Sequence, residues 1–213
     1  MASYYFDDFD GANADPIGAP WVQHSLDAGT KNIIRNNDKA EEGSGSGDAN
    51  CHYDETFSSP DVLLNAEYDG GILRLFGRLA SPGDSSTGYL MEYVGSGETV
   101  RIYRINSGYD DTTELDSAAG VEATFGDFWR FEIEDDQLTA YLNDVEVASA
   151  SDSTYTAAGY AGFGLGEFAT LRSIEISNLV LTEIKSFVDV LYADTQEVMG
   201  VPLTSVKSWV GLE

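Results

Sequence analysis

Short stretches in which apolar and polar residues alternate recur along most of this chain, and they constrain its fold more than any other feature. This alternation has the period of a β-strand that turns one face to a hydrophobic core and the other outward. Clusters of Gly, Asp and Ser separate the stretches, as turns do between antiparallel strands. The pattern predicts nine strands, at 61–68, 72–79, 88–94, 99–105, 127–134, 138–142, 145–149, 159–165 and 171–181.

The composition agrees with a sandwich of many short strands. The chain has 22 Gly against 5 Pro, together with 12 Tyr and 10 Phe, which favours strands and tight turns over long helices. With 213 residues, 42% of them hydrophobic, it can bury the core of one large sandwich. Asn143-Asp144 falls between two predicted strands and is typical of a hairpin turn, because both residues tolerate positive φ.

The segment 27–50 is polar and rich in Gly and Ser, so we predict a surface loop there. A linker between two domains is the alternative. The strand that precedes the segment is too isolated to form a domain of its own, which favours the loop.

The charge of the chain limits its partners. A net charge of −26 with only 11 Lys and Arg excludes nucleic acid as a ligand, since no basic cluster can replace phosphate counterions. The first eight residues lack the features of a signal peptide, and no run of about 18 apolar residues could span a membrane. A single cysteine, Cys51, fits a reducing compartment. We therefore expect synthesis and folding in a cytoplasm.

The last 30 residues repeat a pattern three times. The segments 184–190, 195–201 and 206–212 follow one another at a step of 11 residues, with apolar residues at the fourth, fifth and seventh places. We predict a jelly-roll sandwich over 1–183 and a short β-repeat over 184–213 that serves oligomerisation or attachment. The predicted assembly residues are Phe187, Val188, Val190, Val198, Met199, Val201, Trp209, Val210 and Leu212.

Residues 6–15 (FDDFDGANAD), followed by 16–21 (PIGAPW), resemble the opening of concanavalin-A-like or laminin-G-like jelly rolls in tailed-phage and environmental proteins. Later stretches agree: 88–90 (GYL), 128–133 (FWRFEI), 138–144 (LTAYLND) and 152–162 (DSTYTAAGYAG). The resemblance covers most of residues 3–183 and implies an all-β fold, an antiparallel jelly-roll sandwich. The C-terminal repeat is similar to short "IKS-aromatic-x-GV" repeats that end many phage structural proteins.

Together these resemblances imply a non-catalytic virion structural protein of a tailed phage or virus. It would be a capsid decoration protein or a tail-fibre component, made in the host cytoplasm and displayed on the particle. Its expected partners are further copies of itself, a trimer foremost, and other virion proteins, with neither nucleic acid nor membrane. The alternative is a carbohydrate-binding adhesin that recognises a host surface glycan, and a glycoside-active enzyme is the third interpretation.

The carboxylates argue against catalysis. Retaining glycosidases of this fold share the motif E-x-D-x-x-E on one face of a strand, because the nucleophile and the acid must lie about 5 Å apart. Glu132, Glu134 and Asp136 alternate onto one face, but Gln137 stands where the pattern requires Glu. A solvated polar face opposite Phe131 is the simpler interpretation.

Calcium is the one cofactor that the sequence suggests, and otherwise we expect none. Asp7, Asp8, Asp10 and Asp15 place hard oxygen ligands close together in sequence, as Ca²⁺ requires. The spacing does not match an EF-hand. The favoured interpretation is that Asp8 and Asp10 flank Phe9 at a strand end and that Asp15 caps a turn.

Tyrosines supply the remaining functional hypothesis. Tyr89, Tyr93, Tyr103 and Tyr109 could stack on sugars from an exposed face. Half-buried Tyr is ordinary in strands and interfaces, so burial in a core or at a subunit contact is the favoured interpretation. Cys51 and His52 are neighbours on a strand and should point to opposite faces, with Cys51 buried. No ligand spacing supports a zinc site at His24 and His52.

Overall fold

The computed structural model describes residues 3–24, 31–43, 49–83, 85–166 and 168–179, together with 197–198 and 201–202. Its strands are β1 (Tyr4–Asp7), β2 (Trp21–His24), β3 (Ile33–Arg35), β4 (Ala40–Glu42), β5 (Ala49–Tyr53), β6 (Val62–Tyr68), β7 (Ile72–Leu79), β8 (Gly88–Val94), β9 (Thr99–Ile105), β10 (Thr112–Ala119), β11 (Phe128–Glu134), β12 (Gln137–Leu142), β13 (Val145–Ser151), β14 (Tyr160–Leu165), β15 (Thr170–Asn178), β16 (Glu197–Val198) and β17 (Val201–Pro202). One 3₁₀ turn, Gly95–Gly97, joins β8 to β9.

Two antiparallel sheets form the sandwich. The eight-stranded sheet has the order β13-β12-β11-β6-β15-β4-β3, and β1 also pairs with β15. The seven-stranded sheet has the order β10-β9-β8-β7-β14-β5-β2. Consecutive hairpins alternate with pairs of strands that are distant in sequence, such as β6 with β15 and β7 with β14, as in a jelly roll. The predicted all-β fold class is confirmed.

Side chains from both sheets fill one core. Trp129 and Phe131 of β11 face inward from the eight-stranded sheet, and Tyr93 of β8 and Phe163 of β14 face them from the other side, all at most 1% exposed. The rings of Tyr93 and Trp129 pack with centroids 4.5 Å apart. Aromatic pairs of this kind contribute beyond the area they bury, and they hold the two sheets together.

All nine predicted strands exist, with ends that shift by a few residues. The hairpin between β12 and β13 is also confirmed, because Asn143 and Asp144 adopt φ of 49° and 64°. The prediction of a loop over 27–50 is wrong in part. Strands β3 and β4 pair in this segment and continue the eight-stranded sheet, and Ile33 and Ala40 are fully buried.

The chain divides into two units, Met1–Leu179 and Val180–Glu213. In the second unit the described residues form one small hairpin, in which Glu197 pairs with Pro202 and Val198 with Val201. The other predicted assembly residues lie outside the described part of the chain, namely Phe187, Val188, Val190, Met199, Trp209, Val210 and Leu212. In the described residues no helix has the length and hydrophobicity to cross a membrane.

Candidate functional site

The four aspartates of the calcium hypothesis do not converge. Asp7 accepts hydrogen bonds from the Trp21 indole at 2.7 Å and from the Tyr5 hydroxyl at 3.0 Å, so it anchors the entry of the chain into the sandwich. Asp8 accepts the backbone N–H of Asp10 at 3.1 Å, as a strand end does. Across the described ranges, no three His, Cys, Asp or Glu side chains group as metal ligands. This calcium site at Asp7, Asp8, Asp10 and Asp15 is therefore not supported.

Two of the four candidate sugar-binding tyrosines are core residues. Tyr89 and Tyr93 lie between the sheets at 0% and 1% exposure, so neither offers a ring face to a ligand. The Tyr89 hydroxyl donates to the Asp152 carboxylate at 2.9 Å, and the Tyr93 hydroxyl donates to the Val121 carbonyl at 3.0 Å. Their suggested role in sugar stacking is therefore corrected, and they have the core positions that the sequence favoured, because buried Tyr packs in a core when its hydroxyl finds such partners.

Tyr103 and Tyr109 lie on the outer face of the seven-stranded sheet. There the Tyr109 hydroxyl donates to the Glu92 carboxylate at 2.6 Å, and Glu92 also accepts from the Arg74 guanidinium at 2.8 Å. The Arg74 guanidinium lies over the Tyr109 ring, 4.8 Å from its centroid. Burial, and then the hydrogen bond to Glu92, raise the pKa of Tyr109. Arg74 and Glu92 are only 4% and 3% exposed, so this network is largely closed to solvent.

A small apolar cluster lies beneath these tyrosines. Phe76, Leu79, Leu90 and Ile105 are fully buried on this outer face, and Tyr103, Tyr109 and Tyr160 cover them. The tyrosines thus have the half-buried positions of a second, minor core. Their rings contribute to packing first, and little of them remains available for a ligand.

The acidic row of β11 faces outward from the eight-stranded sheet. Glu132 and Glu134 line a shallow depression of about 340 Å³ with Gln137, Thr139 and Tyr141, whereas Asp136 lies in the turn that follows β11. The alternation of this strand is as predicted, since Phe131 and Ile133 are fully buried behind it. These carboxylates form the solvated face that strand periodicity indicates.

An open groove crosses the outer face of the eight-stranded sheet, and we call it the phenylalanine groove. It has a volume of about 410 Å³ and is lined by Phe6, Asn65, Ala66, Glu67, Phe128, Arg130, Asn143, Asp144, Ser173 and Glu175. Phe6 and Phe128 are 49% and 52% exposed. Large apolar side chains at that exposure are candidates for a contact surface when polar groups surround them.

Strand register builds the floor of this groove. Phe6 of β1 is opposite Glu175 of β15, Glu175 is opposite Asn65 of β6, and Asn65 is opposite Arg130 of β11. Three interstrand steps of about 4.8 Å place Phe6 about 14 Å from β11, where Phe128 stands two residues before Arg130. The groove therefore has an aromatic ring at each end and planar polar groups between them.

Arg130 is held in place within the groove. Its guanidinium contacts Asp144 at 2.7 Å and Glu132 at 3.1 Å, and it stacks over the Tyr141 ring at 4.1 Å from the centroid. A guanidinium fixed from three sides loses little entropy on binding a ligand and presents its remaining N–H donors in a set direction. Sequence reasoning did not single out Phe6, Phe128, Asn65 or Arg130, because nothing in their spacing joins four separate strands.

The Cys51 and His52 side chains point to opposite faces of β5, as predicted. Cys51 is fully buried in the core, where burial raises the pKa of its thiol well above the ordinary value. His52 lies on the outer face of the seven-stranded sheet. There its Nδ1 atom is 3.1 Å from Nδ1 of His24, a pairing that the sequence analysis did not expect.

Comparison with known proteins supports the fold and no particular family. No protein-family model matches the sequence, and no curated protein matches it. Among solved structures, a carbohydrate-binding module from Bacillus subtilis, CBM66, is similar with a TM-score of 0.53 at 18% identity, over 71% of this chain and 91% of the module. A Bacillus subtilis protein of unknown function with a galectin-like fold gives a TM-score of 0.59 at 12% identity, over 84% of this chain and 96% of that one.

The similarity extends to an enzyme. A β-1,3-1,4-glucanase from a mouse hindgut metagenome gives a TM-score of 0.53 at 13% identity and covers 84% of this chain and all of the enzyme. At these identities the likeness establishes the architecture, a concanavalin-A- or galectin-like β-sandwich, and leaves activity to the site.

Proposed function

We propose that this protein binds a carbohydrate, without hydrolysing it, through the phenylalanine groove. The observation that carries the proposal is the pair of half-exposed rings, Phe6 and Phe128, at either end of a polar floor in an open groove of about 410 Å³. Sugars present apolar C–H faces and hydroxyl edges, so aromatic rings beside amide, carboxylate and guanidinium groups suit them. The similar structures that are carbohydrate-binding modules or glucanases support this choice among ligand classes.

The charge of the groove limits the class of glycan that it can bind. Glu67, Glu175 and Asp144 line it against a single cation, Arg130, which already contacts Asp144. The chain as a whole carries −26. A uronate or sulfated glycan would meet like charge from the groove and from the whole surface. The proposed ligand is therefore a neutral or amino-bearing glycan.

The same carboxylates argue for binding without catalysis. Glu67 and Glu175 stand diagonally on the neighbouring strands β6 and β15, since Glu67 is opposite Ser173 and Glu175 is opposite Asn65. A carboxyl pair that cleaves glycosides needs one member in a desolvated pocket, where it keeps its proton at neutral pH. These two lie on an open face. Their carboxylates can instead accept hydrogen bonds from sugar hydroxyls.

The exposed ring areas set the size of the expected effect. A Phe side chain buries roughly 150–250 Å² when it is fully enclosed, so a half-exposed ring still offers about 100 Å² to a ligand. At about 25 cal/mol per Å² this is worth at most about 2.5 kcal/mol, and about 1 kcal/mol if one ring face is covered. Each substitution, Phe6→Ala or Phe128→Ala, is expected to weaken binding by about 5- to 60-fold.

The test is a glycan array followed by calorimetric titration with the glycan that binds best. Parent, Phe6→Ala and Phe128→Ala are compared with a matched control on the other sheet, Tyr103→Ala. Because about half of each Phe side chain is buried in the free protein, the two groove variants should keep the parent's circular dichroism spectrum and lose at most about 2.5 kcal/mol of stability by the same area argument. Binding that survives both groove substitutions but is lost in Tyr103→Ala would move the site to the seven-stranded sheet. An array without any binder would refute the carbohydrate proposal.

Catalysis is tested on the same glycan. We expect no release of reducing sugar by the parent, and Glu67→Gln or Glu175→Gln should change affinity alone. Sugar release by the parent that either substitution abolishes would make the protein an enzyme.

A place on a virus particle remains the second part of the proposal, and its support is the 11-residue repeat at 184–213. The groove lies in the first unit and the repeat in the second, so one chain can combine glycan recognition with attachment or self-association. Such a chain would act as an adhesin of a phage or virus. Mass spectrometry of separated heads and tails from purified particles tests this placement. Absence of the protein from both fractions would refute the placement.

A further inference from the structure

The two histidines of this chain meet on the outer face of the seven-stranded sheet. His24 belongs to β2 and His52 to β5, which pair antiparallel with His24 opposite Asn50 and His52 opposite Val22. The histidines are therefore diagonal neighbours on one face, and such pairs lie within reach of long side chains. Their rings meet nearly edge to face, with centroids 5.0 Å apart and Nδ1 atoms 3.1 Å apart.

The surroundings hold both rings in place. The Phe76 ring packs against His24 at 5.5 Å between centroids, and the Tyr160 ring packs against His52 at 5.1 Å. A Cβ atom at Gly162 of β14 would lie 2.6 Å from Cα of His52 and 2.9 Å from the Phe76 ring, so the strand beside the pair has room only for glycine there. The site is thus a pre-formed pocket for the two imidazoles rather than a chance contact of mobile side chains.

The hydrogen-bonding capacity of the pair is incompletely used. Nε2 of His24 is buried and has no hydrogen-bond partner among the described residues. A neutral imidazole has one N–H and one lone pair, so the Nδ1 contact employs a donor from one ring and an acceptor from the other. The neutral form of imidazole is the one that ligates metals.

We propose that His24 and His52 form a binding site for a divalent transition-metal ion, Zn²⁺, Ni²⁺ or Cu²⁺, with their Nδ1 atoms as the two protein ligands and water in the remaining positions. Two imidazole nitrogens that share a tetrahedral Zn²⁺ at bonds of about 2.0–2.1 Å stand about 3.4 Å apart. The observed 3.1 Å separation is close to that value.

The type of ligand sets the choice of ion. Imidazole suits Zn, Cu and Ni, whereas Mg²⁺ and Ca²⁺ prefer oxygen ligands, and affinity at a nitrogen site rises toward Cu²⁺. Strand β2 is an edge of the seven-stranded sheet, and Val22, on the same face as the pair, is 37% exposed. The site is on the opposite sheet from the phenylalanine groove and does not depend on the proposed function.

The experiment is a calorimetric titration of the full chain, made without a polyhistidine tag, with Zn²⁺ and with Ni²⁺ at neutral pH. Excess Mg²⁺ in the buffer occupies surface carboxylates, which would otherwise collect cations on a chain of charge −26. We expect one equivalent bound by the parent. His24→Gln and His52→Gln each remove one of two protein ligands and should lower the affinity at least about tenfold, the least that losing even an outer-shell partner costs.

Cys51→Ala is the matched control, because this thiol neighbours His52 in sequence but faces the core. It should leave the affinity unchanged. Electron paramagnetic resonance of the Cu²⁺-loaded parent should show coupling to two nitrogens, and this measurement holds even if a histidine variant fails to fold. Oxygen-only coupling, equal affinity in the parent and both folded histidine variants, or loss of the ion in Cys51→Ala would each overturn the proposal.

Discussion

The buried ion pair on the seven-stranded sheet makes the sharpest prediction about stability. Arg74 and Glu92 are 4% and 3% exposed, and two guanidinium nitrogens approach the same carboxylate oxygen at 2.8 Å. The Tyr109 hydroxyl donates to that oxygen at 2.6 Å, and the Arg101 guanidinium lies 3.8 Å from the other oxygen. Replacing Glu92 by Leu leaves the Arg74 charge in the same desolvated place without this carboxylate.

The size of the loss follows from desolvation. Removing one partner of a buried pair costs about 3–5 kcal/mol, whereas replacing both by apolar residues of similar volume is often neutral or stabilising. For Glu92→Leu and for Arg74→Met we therefore expect a loss of about 3–5 kcal/mol each, and the double variant should recover most of it. With a urea m-value of about 2.5 kcal/mol/M, each single substitution lowers the midpoint by about 1–2 M.

Equilibrium urea unfolding, followed by tryptophan fluorescence and by circular dichroism, measures the free energy of unfolding of the parent, the two single variants and the double variant. Coincident transitions by both probes establish that the free energies are comparable. A loss of less than about 1 kcal/mol in Glu92→Leu, or a double variant as unstable as the sum of the single ones, would refute the idea that desolvated charge governs this site.

Three further predictions concern other parts of the molecule. Partial burial alone would raise the pKa of Asp152, but its hydrogen bonds and the neighbouring Arg104 guanidinium outweigh burial, and the net pKa is lowered. The stability that Asp152 adds is therefore present above its unfolded pKa and is lost as pH falls through the folded pKa. The urea midpoints of the parent and Asp152→Asn should converge on acidification. A Cβ at Gly162 would lie 2.2 Å from the Cys51 carbonyl oxygen of β5, so Gly162→Ala should lower the melting temperature. Gly97→Ala, whose Cβ would have its nearest atom 3.6 Å away, should not. Deletion of 184–213, or Trp209→Ala, should leave the sandwich folded by circular dichroism and convert oligomers to monomers by sedimentation. Continued oligomerisation of the truncated chain would contradict the assembly role.

Alternation of apolar and polar residues determined most of the sandwich in advance. A strand with one buried face must place every second residue in the core, so the strands that contain Ile133 and Leu138 could be predicted from the sequence alone. The Asn143-Asp144 turn followed from the ability of both residues to adopt positive φ. Strand β10 was not predicted. It is an edge strand of the seven-stranded sheet, and its sequence TTELDSAA contains few apolar residues.

Where both faces of a strand are buried, the residue pattern does not show which face points into the core between the sheets. In β8, Tyr89, Met91 and Tyr93 face the core between the sheets, while Leu90 lies equally buried on the other side. Periodicity separates the two sets but does not say which one is exposed, so Tyr89 and Tyr93 remained candidates for a ligand face even though burial was the favoured interpretation.

Both functional surfaces were decided by tertiary structure. The phenylalanine groove joins residues of β1, β15, β6 and β11, and its polar floor exists only in the register that sets Phe6, Glu175, Asn65 and Arg130 side by side. His24 and His52 are 28 residues apart and meet because β2 pairs with β5. Local composition fixes which residues favour strands, but the pairing of distant strands fixes which side chains share a surface, and that pairing arises from burial of the whole core.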